Sequence, residues 1–324
     1  METLTPTWRA LSLADTAAVT ALVAAAEEVD RTGEHYDESD IAEEMGDPTI
    51  DLARDTLAAV APDGALLGYC VAFGTRAVRD VDRVRLFGTV RPDARGRGLG
   101  RRLVDWAGDR AAQLHRELHP DVPGEALLQV PDTVPTAAGL ARAAGYQAVR
   151  WWYDMRRDLS APLPAVPPVP AGLALVPHRA ERDEDLRLAH GDAFAGHWGS
   201  TPPDRQRWEQ WFTGSRACRP DLSWLVLDGE QIAGYLNSYY FPASTEATGR
   251  REGYIGQIGV RVPWRRRGLG ALLIAAALSG FRDAGFDQAA LDVDTGNTTN
   301  ALALYERAGF TVSHGSVSWS RPLG

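Results

Sequence analysis

Residues 261–270 read RVPWRRRGLG, and residues 91–100 read RPDARGRGLG. Both stretches contain the pattern Arg-x-x-Gly-x-Gly, between a segment with a strand pattern and one with apolar residues at helical spacing. The first amides of a helix lack partners within the helix and attract anions such as phosphate groups. Glycine lets a phosphate approach the backbone, and arginine adds positive charge beside it. A solvated Arg/Gly turn is the alternative, but two copies in the same context favour two phosphate-binding turns.

The two turns belong to a longer internal repeat. Each half of the chain starts with a short strand and a helix, followed by two strands joined through an Asp-Gly turn. After the Arg-rich turn, each half continues with a helix, a strand, a short helix and Ala-Gly-Tyr or Ala-Gly-Phe. Arg265 follows Arg95 by 170 residues, and Gly309 follows Gly145 by 164. We therefore expect two similar modules in tandem.

The boundary between the modules is expected at a proline-rich stretch. Residues 160–172 read SAPLPAVPPVPAG and contain five prolines, which disfavour both helix and central strand and favour an extended linker. The predicted organisation is an N-terminal module over residues 1–159, this linker, and a C-terminal module over residues 173–324.

The overall composition limits the classes of partner. The chain has 324 residues and a net charge of −9, which argues against a nucleic-acid or acidic-membrane surface. All 34 basic residues are arginine, so no lysine can form a Schiff base or a Walker-type phosphate site. Cys70 and Cys218 suggest neither a disulfide framework nor a metal cluster. No stretch predicts a membrane span or a secretory signal, so we expect a cytoplasmic protein without a metal.

The Arg-rich turns depart from the dinucleotide-binding pattern Gly-x-Gly-x-x-Gly. The first copy has Arg101 in place of the third glycine, and the second has Arg266 in place of the first. Both turns instead resemble the acyl-CoA loop of the GNAT superfamily of N-acetyltransferases, which has the form Gln/Arg-x-x-Gly-x-Gly/Ala. The resemblance covers nearly the whole chain, twice. It implies a mixed α/β (α+β) fold with two tandem GNAT modules, each a central, mostly antiparallel sheet flanked by helices.

The GNAT resemblance also implies acetyl-CoA as co-substrate and a set of binding residues. The strand before the second turn would diverge from its neighbour at a bulge and bind the pantetheine arm, while the turn holds the pyrophosphate. The implied residues of the second half are Ile258, Gly259, Val260, Arg265, Arg266, Arg267, Gly268, Leu269, Gly270, Ala271, Asn297 and Asn300. Those of the first half are Val90, Arg95, Gly96, Arg97, Gly98 and Gly100.

A second motif of the family is similar to residues 291–310, LDVDTGNTTNALALYERAGF. By this similarity Tyr305 would face the CoA sulfur, where a phenol that stays protonated at neutral pH can protonate the departing thiolate. A packed core tyrosine is the alternative interpretation of Tyr305. Asn297 also suits the N-cap of the following helix.

The first half departs from this motif where the acid would stand. Four residues before Gly145 is Ala141, whereas four residues before Gly309 is Tyr305. Twelve residues before Gly145 is Thr133, in the place of Asn297. We interpret the N-terminal module as non-catalytic, whether or not it still holds an acyl-CoA.

The acceptor side is less well defined by the sequence. Gln257 could order a water or the substrate but cannot act as a base. His197, Trp198 and Asp294 are candidates for binding an acceptor amine, although a structural histidine is the alternative for His197. Glu246 and Glu252 precede the same strand as Gln257, and a solvated surface carboxylate is the simpler interpretation of each.

These observations predict an acetyl transfer from acetyl-CoA to a primary amine of a small molecule, carried out by the C-terminal module. The tandem arrangement is similar to actinobacterial enzymes of the mycothiol synthase group. In that group a glutamate lies six residues before the valine that matches Val260, and here Tyr254 stands there. An aminosugar, an amino acid or an antibiotic-like amine therefore fits at least as well. A silent acyl-CoA-binding regulator is a further alternative, but it would need an impaired active site in both halves, and only the first half has one. We expect a monomer or homodimer.

Overall fold

The computed structural model describes residues 5–297 and 301–324. The chain divides into two compact units. Unit 1 comprises Met1–Trp151 and His314–Gly324, and unit 2 comprises Trp152–Ser313. Asn300, one of the implied CoA-binding residues, lies outside the described residues.

Unit 1 contains a sheet with helices on both faces. Its strands lie in the order β1–β2–β3–β4–β5–β12, and β4 and β5 pair in parallel while the other pairs are antiparallel. The strands are β1 Thr7–Arg9, β2 Thr56–Val60, β3 Leu66–Phe73, β4 Asp82–Val90, β5 Gly124–Pro131 and β12 Thr311–Leu323. The helices are α1 Thr16–Asp30, α2 Glu38–Met45, α3 Leu52–Asp55, α4 Leu99–Leu118 and α5 Pro135–Ala143.

Unit 2 repeats this topology. Its strands lie in the order β7–β8–β9–β10–β11–β6, and the pairing of β10 with β11 is parallel. The strands are β6 Gln147–Asp158, β7 Leu173–Pro177, β8 Trp224–Asp228, β9 Gln231–Tyr240, β10 Glu252–Val260 and β11 Gln288–Asp294. The helices are α6 Asp183–Ala193, α7 Arg205–Trp211, α8 Pro242–Thr248, α9 Leu269–Asp283 and α10 Ala301–Arg307. The predicted fold class, a mostly antiparallel mixed sheet with flanking helices in each module, is confirmed.

The division into units differs from the contiguous modules expected from the sequence. Residues 152–158 of β6 complete the sheet of unit 2 by pairing with β11, and residues 316–323 of β12 complete the sheet of unit 1 by pairing with β5. The proline-rich residues 160–172 form no helix or strand, as expected, but they lie within unit 2. Any strand with a suitable pattern can satisfy an open sheet edge, so the order of elements along the chain did not reveal which strand closes which sheet.

Each sheet packs an apolar helix on one face. In unit 2 this is α9, whose side chains Leu273, Ala277 and Phe281 are fully buried against the sheet. In unit 1 it is α4, with Leu103 and Ala111 in the corresponding core. The opposite faces are covered by α6 and α7 in unit 2 and by α1 and α2 in unit 1. Helices therefore cover both faces of each sheet, and a ligand is expected to bind at strand ends and turns.

Within the described residues, no helix has the length and apolar character needed to cross a membrane. Nor do these residues contain a group of three or more His, Cys, Asp or Glu side chains placed to hold a metal ion.

Candidate active site

The two parallel strands of unit 2 separate before the Arg-rich turn. The β10–β11 pairing ends at Ile255 and Leu291, whereas β10 stays paired with β9 as far as Val260. The register of β10 on β9 shifts between Ile255 and Gln257, so Gly256 is a bulge. A Cβ atom at Gly256 would come within 2.5 Å of the Tyr239 ring, and only glycine fits there. We call this divergence the fork. The expected bulge and divergence are both present, and residues 257–260 face the fork without a ladder partner on the β11 side.

The second Arg-rich turn leads directly from the fork into α9. A 3-10 turn, Val262–Trp264, is followed by Gly268 in a left-handed conformation, with a φ of 79°, as the N-cap of α9. The amides of Leu269, Gly270 and Ala271 therefore begin the helix and have no acceptors within it. The Leu269 side chain itself is buried in the core, so only its backbone is available to a phosphate.

Arg265 holds this turn in place. Its Nε donates to the carbonyl of Val260 at 3.0 Å, and its Nη2 donates to the carbonyl of Ala193, at the end of α6, at 2.9 Å. Arg266 and Arg267 are exposed, and neither has a carboxylate partner among the described residues. The turn therefore combines a fixed backbone, free helix amides and two exposed positive charges.

Arg266 has a left-handed backbone, with a φ of 61°. Gly96 holds the matching place in unit 1, with a φ of 73°. A side chain in this conformation costs about 1 kcal/mol relative to glycine. Strain of this kind is kept where the side chain has a task, and here the side chain is a cation beside the helix start.

Tyr305 lies on α10 and is 94% buried, with 6% of its surface exposed. Its ring packs edge-on against Phe310, with the ring centroids 6.2 Å apart. Burial raises the pKa of Tyr305 well above its usual range, and the charge of Asp292 raises that pKa further. The phenol therefore stays protonated at neutral pH, as a general acid requires. The packing fits the core-tyrosine interpretation, and the influence of Asp292 places a carboxylate within electrostatic range of the phenol.

Gln257 belongs to a polar network on the α6–α7 face of the sheet. Its Oε1 accepts hydrogen bonds from the Tyr239 hydroxyl at 2.7 Å and from Asn237 Nδ2 at 3.4 Å. Asn237 is fully buried, and its Oδ1 has no hydrogen-bond partner among the described residues. This network fixes the orientation of Gln257 beside the fork, which suits substrate positioning and not proton transfer.

Sequence reasoning missed Asp292, which lies on the other arm of the fork. Leu291 and Val293 of β11 point into the α9 core, so Asp292 and Asp294 lie on the opposite face. The Tyr254 hydroxyl donates a hydrogen bond to Asp292 Oδ1. Asp292 is exposed, yet the protein around its carboxylate raises its pKa above the usual range through desolvation. The alternation Leu-Asp-Val-Asp was the available signal for this side chain.

The structure brings part of the predicted acceptor side together. Asp294 pairs in register with Trp152 of β6, and the ring centroids of Trp152 and Trp198 lie 6.3 Å apart. Asp294 Oδ1 also accepts from the amide of Gly296 at 2.9 Å, which shapes the turn after β11. Trp198 therefore lies near the end of β11, because it contacts Trp152, a residue that sequence reasoning did not single out.

The remaining candidates have mainly structural surroundings. The His197 ring packs on Phe194, with the ring centroids 4.4 Å apart. The backbone N–H of Asn297 donates to the backbone carbonyl of Asp294 at 3.1 Å, next to the part of the chain that is not described. Glu252 accepts from Arg156 at 2.8 Å and from Gln288 at 2.7 Å, and Glu246 is exposed on α8. These contacts make neither glutamate a convincing base.

Unit 1 keeps the backbone of the site but has no tyrosine in the place of Tyr305. Its parallel pairing ends at Leu86 and Leu128, and its turn runs from Val90 through left-handed Gly96 and Gly98 into α4. Ala141 is buried where unit 2 has Tyr305. Residues Arg97 and Gly100 keep their places in the turn and at the start of α4, respectively.

Three comparisons bear on this geometry. The model of the Acetyltransferase (GNAT) family matches the chain twice, at residues 19–129 and 184–310. A mycothiol acetyltransferase of Salinispora arenicola is 34% identical over 268 residues, covering 81% of this chain and 80% of the relative. One of Geodermatophilus obscurus is 32% identical over 323 residues, covering 96% of each. Among solved structures, a GCN5-related N-acetyltransferase from Sphaerobacter thermophilus has a TM-score of 0.74 at 27% identity, over 98% of this chain and 96% of that one.

Proposed function

The chain belongs to the GNAT acetyltransferase family and is an N-acetyltransferase, and on that premise we propose that unit 2 transfers an acetyl group from acetyl-CoA to a primary amine of a small molecule. The observation that carries the proposal is that unit 2 combines an open Arg-rich turn with a buried tyrosine, Tyr305, whose phenol lies within electrostatic range of Asp292 at the fork. Unit 1 has the turn and Ala141, without the acid.

Each part of the site has a role in this reaction. The helix amides after Gly268, with Arg266 and Arg267, would hold the pyrophosphate of the co-substrate. The open backbone of residues 257–260 would accept the pantetheine arm through strand-like hydrogen bonds. Tyr305 would protonate the departing thiolate, which is worth roughly 10²–10⁴-fold in rate for general-acid catalysis.

The acceptor is proposed in two forms. The mycothiol acetyltransferases at 32–34% identity favour a mycothiol-type acceptor. The replacement of the expected glutamate by Tyr254 favours a different small amine, such as an aminosugar or an amino acid. A catalytically silent acyl-CoA-binding module would require that unit 2 also lack an acid, and Tyr305 argues against it.

The test is Tyr305→Phe, compared with the wild type. We expect thiol release from acetyl-CoA in the presence of amines to fall at least a hundredfold, while the affinity for acetyl-CoA by titration calorimetry changes little. Ala141→Tyr in unit 1 is the matched variant and should not restore activity to the Tyr305→Phe protein. If no amine is acetylated while acetyl-CoA binds, the silent-module alternative replaces the transferase.

A further inference from the structure

The arm of the fork formed by β11 carries a carboxylate without a role in the transfer described so far. Asp292 is the first residue after the last parallel pair, Ile255–Leu291, and so stands where the two strands part. It accepts a hydrogen bond from Tyr254 on the other strand. Solvent reaches Asp292, so an acceptor molecule could reach it too.

Unit 1 provides an internal comparison for this position. Its last parallel pair, Leu86–Leu128, matches Ile255–Leu291 in unit 2. By that register, Gln129 of unit 1 matches Asp292. Gln129 Nε2 donates to Ser316 Oγ at 2.8 Å, as an ordinary structural amide would. Arg85 likewise matches Tyr254. The carboxylate and its phenol partner therefore occur in the unit that also has Tyr305, and both are replaced in the unit that lacks it.

The charges around Asp292 are consistent with a proton acceptor. Asp154 of β6 lies directly opposite it in the antiparallel register, where Cβ atoms are about 5 Å apart. Asp294 shares its face of β11, and Tyr305 is close enough for the charge of Asp292 to raise the pKa of that phenol. Asp292 thus has two acids on its own face of the sheet, one phenol that donates a hydrogen bond to it and a second phenol within electrostatic range, and a cationic amine would be attracted to it.

Resting on the function proposed above, we propose that Asp292 is the catalytic base that takes a proton from the ammonium group of the acceptor, directly or through one water. Tyr254 is a positioning residue, because its hydroxyl holds the Asp292 carboxylate at the fork.

The proton balance of this step is complete. The acceptor ammonium gives one proton to Asp292 and becomes a neutral amine. Its nitrogen forms a bond to the acetyl carbonyl carbon, the carbon–sulfur bond breaks, and the thiolate takes the proton of Tyr305. The second proton on the acylated nitrogen returns Tyr305 to its phenol form, and Asp292 releases its proton to solvent. One proton is released per amide formed.

The experiment measures kcat/KM from pH 5 to 9 with acetyl-CoA and whichever amine the wild type acetylates fastest among glucosamine, L-lysine, spermidine and tryptamine. Asp292→Asn should lower kcat/KM by about 10²–10⁴-fold and remove the ascending limb of the pH profile. Asp292→Glu should retain that limb. Tyr254→Phe should move the limb to higher pH, because a hydrogen bond to the carboxylate lowers its pKa.

Glu246→Gln is the matched control, since it removes an exposed carboxylate from the same unit and should leave the profile unchanged. Acetyl-CoA affinity by calorimetry should stay within about twofold for every variant, which also shows that each folds. A wild-type profile retained by Asp292→Asn overturns the assignment of the base and leaves the transferase standing. A wild type that binds acetyl-CoA but acetylates neither these amines nor a mycothiol-type amine overturns the proposed function and the base together.

Discussion

The two Arg-rich turns share a backbone but differ in what their first arginine contacts. Nε of Arg95 and of Arg265 donates to the carbonyl at the end of the preceding strand, at 2.9 and 3.0 Å. Nη1 and Nη2 of Arg95 donate hydrogen bonds to the two carboxylate oxygens of Asp30, at 2.5 and 2.7 Å. Nη2 of Arg265 instead donates to the carbonyl of Ala193, which carries no charge.

This difference is one of charge. A carboxylate neutralises Arg95, and Asp93 adds a second negative charge within the turn of unit 1, close to Arg91 and Arg97. The turn of unit 2 has Pro263 in the place of Asp93. Its Arg261 pairs with Asp192, but Arg266 and Arg267 are exposed and have no carboxylate partner among the described residues. We therefore expect the turn of unit 2 to attract a pyrophosphate more strongly than the turn of unit 1, although both units share the same fold.

The largest expected difference between the turns is in affinity for acetyl-CoA. Arg266→Ala with Arg267→Ala should weaken binding at least a hundredfold, or by at least about 2.7 kcal/mol, because two charged hydrogen bonds to phosphate, each contributing about 1.5–3 kcal/mol, would be lost. Titration calorimetry with acetyl-CoA measures this directly, at two salt concentrations since salt screens exposed charges.

The matching change in unit 1 is Arg95→Ala with Gly98→Ala. Turnover is expected to remain within about twofold of the wild type, because the acid and the charged turn belong to unit 2. A loss of turnover in a protein that circular dichroism shows to be folded would mean that the catalytic unit has been assigned to the wrong half of the chain.

The sequence predicted those parts of the site that depend on local order. The turns, the helix starts and the departure at Ala141 all follow from residues close together in the chain. The ion pair of Arg95 with Asp30 joins residues 65 apart, and the pair Tyr254–Asp292 depends on the parallel register of two strands. No local sequence pattern encodes strand register, or shows that β6 completes the sheet of unit 2 and β12 the sheet of unit 1. Both facts required the structure.

The units should also differ in acid stability, through His190 of unit 2. His190 is buried among aromatic rings, with its Nδ1 2.5 Å from the Tyr235 hydroxyl, and burial lowers its pKa to about 4. Unfolded histidine has a pKa of about 6.5, so the unfolded chain binds more protons between these values. The contribution of neutral His190 to the free energy of unfolding is therefore fully present above about pH 6.5, and it is lost as the pH drops towards 4.

The expected loss is about 1.4 kcal/mol between pH 7.5 and pH 5.5, measured by urea unfolding at both values. His190→Gln keeps a polar partner for Tyr235 but cannot titrate, so its stability should fall less over the same range. An equal fall in the variant would place the acid sensitivity elsewhere.

The smallest expected effect tests the strain at Arg266 by exchanging residues between the two turns. Arg266→Gly should stabilise the protein by about 1 kcal/mol, because glycine adopts a left-handed backbone without steric cost, and should weaken acetyl-CoA binding. Gly96→Arg in unit 1 should destabilise it by a similar amount and gain no turnover. Urea unfolding measures both changes. If Arg266→Gly leaves stability and acetyl-CoA affinity unchanged, the side chain has no task at the turn. If the Arg266→Gly protein is more stable but binds acetyl-CoA more weakly, the backbone strain at Arg266 is kept because its side chain binds the co-substrate. Gly96 then shows that the turn itself needs no side chain at this place.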